Sequence, residues 1–166
     1  MTSAKNEDVT DAMLGIAPGT HLDGLRRQRM DVRVHTLRSY EAILSPRDPG
    51  GLGLSERAAL AARIARHNGD HHLARHYDTM LAERGGDPAL TDIAQGSGSP
   101  SGPFSAMVVH VDRVALTPRI STEAHIKILT TAGLSTPDIV RLTELIAFVS
   151  YQVRVLAGLR LLKAGV

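Results

Sequence analysis

No cysteine occurs anywhere in the 166 residues. That excludes disulfides, thiolate metal centres and every form of thiol redox chemistry. Tryptophan is absent too, and aromatics make up only 3% of the chain, so stacking platforms for single-stranded nucleic acid are not expected. Charge of one sign is scarce. Nineteen Lys and Arg against 17 Asp and Glu leave a formal +2, a weak field for a phosphate backbone. Nucleic acid is not an expected partner. Residues 1–10 are polar, carry Glu7 and Asp8, and hold no apolar run that would read as a secretory signal. Leu142 to Leu162 is the longest apolar-rich stretch, but Glu144, Gln152, Arg154 and Arg160 interrupt it. Each central charge costs about 3 kcal/mol on insertion scales. The stretch therefore reads as a core helix, no membrane is expected, and a cytoplasmic location is.

What is present is an ordinary globular balance, 43% hydrophobic and 22% charged. A chain of this length buries enough surface to make one core without a covalent staple. Glycine and proline punctuate it. Residues 1–20 read as an N-terminal arm, with a short helix from Asp8 to Leu14 stopped by Gly15 and a turn at Ala17-Pro18-Gly19-Thr20. Leu22 to Leu44 carries Leu25, Met30, Val34, Leu37, Tyr40 and Leu44 on one stripe, which predicts a single long helix. Its other face holds Arg26, Arg27, Arg29, Arg33 and Arg38, read as a solvated face or a subunit contact. Ser55 is the expected N-cap of the next helical run, Arg57 to Leu81. Asn68-Gly69 falls in its middle, as a break or as a close packing contact. Residues 94–103 read as a flexible loop, followed by helices from Phe104 to Leu116, from Thr122 to Thr131 and from Asp138 to about Lys163. Ser135 and Pro137 suit the start of the last one. No strand pattern competes. The prediction is an all-α domain over 21–166 with about six helices.

Three ordered stretches resemble a known family. They are Leu54-Ser55-Glu56-Arg57 leading to Ala65-Arg66-His67-Asn68-Gly69, then Ala132-Gly133-Leu134-Ser135 with Asp138-Ile139, then Ile146-Ala147-Phe148 six residues before Arg154. Together, over about residues 20–162, they are similar to the AhpD-like superfamily of alkylhydroperoxidases and carboxymuconolactone decarboxylase (CMD) domain proteins, nearest its peroxidase-related branch. The resemblance implies an all-α subunit that assembles as a dimer, trimer or hexamer. Peroxidases of that family use a Glu, eleven residues, Cys-x-x-Cys, three residues and a His. Anchored on Asn68-Gly69, the cysteine positions hold Asp70 and Leu73, the Glu position Ala58 and the His position Tyr77. Shifted by one they hold Gly69, His72, Arg57 and His76. Neither register contains a sulfur, so the family's thiol chemistry is not carried over.

Other chemistry has candidates. His67, His71, His72 and His76 form two i, i+4 pairs, a spacing that can chelate a metal. On an unbroken helix the pairs point to opposite sides and cannot share one ion, so no metal is favoured and no cofactor is expected. Cofactor-free acid/base work, as in CMD decarboxylases, would draw on His72 and His76 as catalytic groups, with Glu56, Asp70, Tyr77 and Arg154 around the pocket. The competing readings make Glu56 a helix-start charge and Arg154 a structural residue bonded to carbonyls or paired with Glu144. The last helix is apolar over most of its circumference, which suggests a homo-oligomer. The function read from the sequence is binding or transforming a small molecule without thiols. The alternative is a non-catalytic oligomeric partner of a thiol-bearing alkylhydroperoxidase relative. A filled core at the centre and an exposed apolar face would favour the alternative.

Overall fold

The computed structural model describes residues 8–165, and they are all-α. Nine α-helices and one 3-10 turn occur among the described residues, where about six helices were predicted. They are α1 (Val9–Leu14), α2 (His21–Arg27), α3 (Met30–Leu44), α4 (Leu54–His67), α5 (His71–Glu83), α6 (Pro88–Ala94), α7 (Gly102–Leu116), α8 (Glu123–Thr131) and α9 (Thr136–Ala164). Most of the difference comes from two long runs that break.

The predicted Leu22–Leu44 helix divides at Gln28-Arg29, where Arg29 leaves the helical region at φ −122°, ψ 49°. No glycine or proline marks the site. The bend brings Arg26 and Arg33 onto the same two carboxylates, Asp8 at the N-cap of α1 and Asp11 within it. Arg26 reaches Asp8 at 2.6 Å and Arg33 reaches Asp11 at 2.5 Å. Arg27 pairs with Asp23. Much of the expected solvated arginine face is thus spent inside the chain, clasping α1 to α2 and α3. Only Leu44 of α3 is buried.

The second break is at Asn68-Gly69. Gly69 has φ +77°, the left-handed conformation that glycine adopts without a Cβ penalty. Its N–H donates to Arg66 O and the Asp70 N–H donates to Ala65 O, which closes α4 in a Schellman turn. Helices α4 and α5 then fold back on each other as the central hairpin. The first turn of α4 also differs from expectation. Gly53 is the N-cap, its N–H donates to Glu56 at 2.7 Å, and Ser55 instead donates to Arg84 O.

The core is built around α4 and α9. From Arg57 to Ala65 every residue of α4 is buried. Helix α9 starts at the expected Ser135 cap and contributes Ile139, Leu142, Leu145, Ile146, Val149 and Leu156 to the same core. It is long and apolar enough to cross a membrane by length and composition, yet one side is built into the core. Its other side is exposed.

Two buried arginines hold the hairpin in place. Arg57 donates to three carbonyls, Leu52 O at 2.9 Å, Ile43 O at 2.8 Å and Pro49 O at 2.9 Å, tying the α3–α4 loop to α4. Arg63 makes a bidentate pair with Asp112 of α7, at 2.6 and 2.7 Å, and also donates to Ile93 O of α6. A buried guanidinium is tolerable only when its donors are matched in this way.

Candidate functional site

The break at Gly69 places Asp70 as the N-cap of α5, where its carboxylate accepts the Leu73 N–H at 3.0 Å. The same carboxylate is held by Arg160 of α9 at 2.7 and 3.1 Å, and its side chain is 3% exposed. Burial alone would raise its pKa. The bonds from Arg160 and the backbone outweigh that and keep the carboxyl below the usual range. Leu73, one turn on, is fully buried in the core. Tyr77, the next turn, is also fully buried and donates to Gln152 of α9. Ala58 is fully buried on α4. Every position of the first family register is therefore occupied by packed core or by an ion pair.

Beside it, α3, α5 and α9 bring together a second set of groups. Tyr40 OH and His76 Nε2 share a hydrogen bond of 2.7 Å across 36 residues of sequence. The His76 ring lies edge-on to Tyr77 at 5.2 Å, and Tyr40 lies edge-on to Phe148 at 6.3 Å. Tyr151 follows Phe148 at 6.2 Å and its hydroxyl meets Thr36 at 3.1 Å. The chain has three tyrosines and two phenylalanines, so all but Phe104 converge at this junction. Burial lowers the His76 pKa, which favours the neutral ring at pH 7. Burial pushes the Tyr40 hydroxyl up to about 12 and the Tyr77 hydroxyl well above its usual value. Tyr40 and Gln152 also line a cavity of about 10 Å³ beneath α1, together with Thr10, Thr36 and Leu37. That is room for a single water at most.

The remaining sequence candidates lie apart. His67 sits at the end of α4 and bonds Asp112 at 2.7 Å. His71 and His72 are exposed on the first turn of α5. The helix break does not gather the histidines, and no group of three or more metal-ligating side chains occurs among the described residues. Glu56 caps α4 through Gly53, as the competing reading held. Arg154 is exposed, donates to Ser150 O of its own helix at 2.8 Å, and makes no bond to Glu144. Of the six expected site residues, only His76 and Tyr77 share the aromatic junction. Sequence reasoning missed Tyr40 and Gln152 because their partners lie on other helices. Tyr40 could have been found as the one polar tip on the apolar stripe of α3.

No protein-family model matches the chain, and no curated protein matches it in sequence. Its structure is similar to the crystal structure of an uncharacterized peroxidase-related protein from Silicibacter sp. TM1040, with a TM-score of 0.71 over 90% of this chain and 78% of that one. Sequence identity is 15%, so the likeness defines a shared all-α fold. The all-α fold is the one that the resemblance drawn from the motifs implies.

Proposed function

We propose that the chain is a thiol-free member of the AhpD-like superfamily whose role is non-catalytic, as an assembling partner rather than a peroxidase. The observation that carries this reading is the closed centre. Peroxide reduction by two thiols requires one thiolate to attack the O–O bond and a second thiol to resolve the sulfenic acid. Here the two positions hold an ion-paired Asp70 and a buried Leu73. Leu73 and Tyr77 are fully buried, Gln152 is buried with them, and the cavity that Gln152 lines holds a single water at most. The sequence alone put small-molecule chemistry first, and the filled centre shifts the weight to the interaction role.

A second reading keeps a specific observation of its own. The Tyr40–His76 pair is only half-buried and couples a phenol to a neutral imidazole, the elements of a proton relay. His72 is separate from it, so acid/base chemistry would rest on His76 with Tyr40.

The two readings are tested together. Metal-free protein is assayed with an alkyl hydroperoxide and a dithiol reductant, and its mass is measured by light scattering. The expected result is no turnover above a heat-killed control and a mass of at least twice 17.8 kDa. A saturable peroxidase rate overturns the non-catalytic reading and the claim that thiols are the only route to peroxide. A monomer across the micromolar range overturns the assembly role. Turnover or binding of a small acid that is abolished by both His76→Gln and Tyr40→Phe would favour the second reading.

A further inference from the structure

We infer that the exposed side of α9 pairs with α9 of a second copy, antiparallel, about a two-fold axis beside position 149. The inference deepens the assembly reading above and depends on it.

The exposed side is one continuous stripe. Val140, Glu144, Ala147, Tyr151, Arg154, Gly158 and Leu161 are all exposed. At 100° per residue they fall within about 100° of one another on the helix. Large apolar side chains stand in the open at its ends, with Val140 51% and Leu161 59% exposed. A stripe running about 30 Å along one helix is long for a surface that faces only water.

The order of residues along the stripe is self-complementary. Reversing the helix about position 149 places Glu144 opposite Arg154, Ala147 opposite Tyr151 and Val140 opposite Gly158. Glu144 meets a base, and Tyr151 and Val140 each meet a small residue, while Leu161 falls opposite Pro137 at the end of the contact. Because the interface is isologous, every such pair occurs twice. A parallel pairing would instead set Glu144 on Glu144 and Tyr151 on Tyr151. Within one chain Glu144 and Arg154 lie about 15 Å apart along the axis and cannot pair.

Gly158 adds an independent observation. Glycine inside a helix costs about 1 kcal/mol relative to alanine. A Cβ built there meets no atom within 4 Å, so nothing in the chain requires the missing side chain. Close approach by Val140 of a second copy would require it. Tyr151 is already fixed for its place, with its hydroxyl held by Thr36 and its ring against Phe148. It enters the contact without losing rotamer freedom.

The test is a charge-reversal cycle read by light scattering and sedimentation. Wild-type protein is expected to be a dimer, or a larger assembly containing that dimer. Glu144→Arg and Arg154→Glu should each weaken self-association by more than about a hundredfold, since like charges would then face each other twice. The double reversal should restore it to within about tenfold, and Gly158→Leu should weaken it. Far-UV circular dichroism of each variant checks that the subunit stays folded. A monomeric wild type overturns both this pairing and the assembly reading. An oligomer that ignores the single reversals, or that the double reversal fails to rescue, overturns this face and leaves the assembly reading standing.

Discussion

Asp70 is where the redox centre of the resemblance and the packing of this chain meet, and replacing it should be expensive. Asp70→Ala removes the N-cap of α5, a loss of about 1 kcal/mol. It also removes the pair with Arg160. Asp70 is 3% exposed but Arg160 is 38% exposed. The orphaned guanidinium can turn to water, so the second loss is about 1–2 kcal/mol, well short of that for a fully buried pair. The sum is about 2–3 kcal/mol. For a chain of this size it should lower Tm by about 5–10 °C. Asp70→Asn keeps a cap and should lose about half as much. Urea unfolding followed by circular dichroism measures both. The pH dependence gives a second check. The folded carboxyl titrates below the unfolded value of about 3.9. Its stabilisation is therefore complete above about pH 4 and disappears as pH falls through the folded value. The gap between wild type and Asp70→Asn should close over that acid range. An Asp70→Ala protein within about 0.5 kcal/mol of wild type at pH 7 would refute the reasoning, because neither the cap nor the pair could then be formed as described.

Three other outcomes are expected. Arg57→Met should cost about 2–4 kcal/mol by urea titration, since it strands the buried Leu52 carbonyl and the half-buried Ile43 and Pro49 carbonyls, and Arg57→Lys should recover less than half because an ammonium cannot reproduce the fork. Leu73→Ala should cost about 2–5 kcal/mol and open a cavity at the centre, which a thermal shift with small apolar ligands would detect. His110 is buried with its Nδ1 unpartnered, and burial together with Arg113 and His125 lowers its pKa, as burial does for His76. The unfolded chain binds those protons more readily, so stability should fall as pH drops below about 6.5. His110→Leu should flatten part of that slope in urea midpoints measured between about pH 7 and 5.

Much of the fold was legible because its signals are local. Gly15, Gly133 and Ser135 act within a turn of themselves, and α1, α8 and α9 end or begin where they dictate. Helix α6 carries a local signal as well, since Asp87 is its N-cap and Pro88 its first-turn proline. The break at Arg29 had none. It is set by Asp8 and Asp11, some twenty residues away, recruiting Arg26 and Arg33. The site divided in the same way. Glu56 as a capping residue followed from spacing alone. The Tyr40–His76 and Tyr77–Gln152 pairs needed the relative rotation of three helices, which no single helix's periodicity encodes. In the sequence Asp70 stands at a cysteine position of the family motif and among the expected pocket residues. Only the packing of α9 reveals it as an anchor for Arg160.

The gathering of Tyr40, Tyr77 and Tyr151 at one junction gives the chain an unplanned optical property. With no tryptophan present, near-ultraviolet emission comes from tyrosine alone, and all of it originates where α3, α5 and α9 meet. Quenching by iodide or acrylamide therefore reads the exposure of that junction without any label. Any event that separates α3 from α9 will register as a change in the protein's own light.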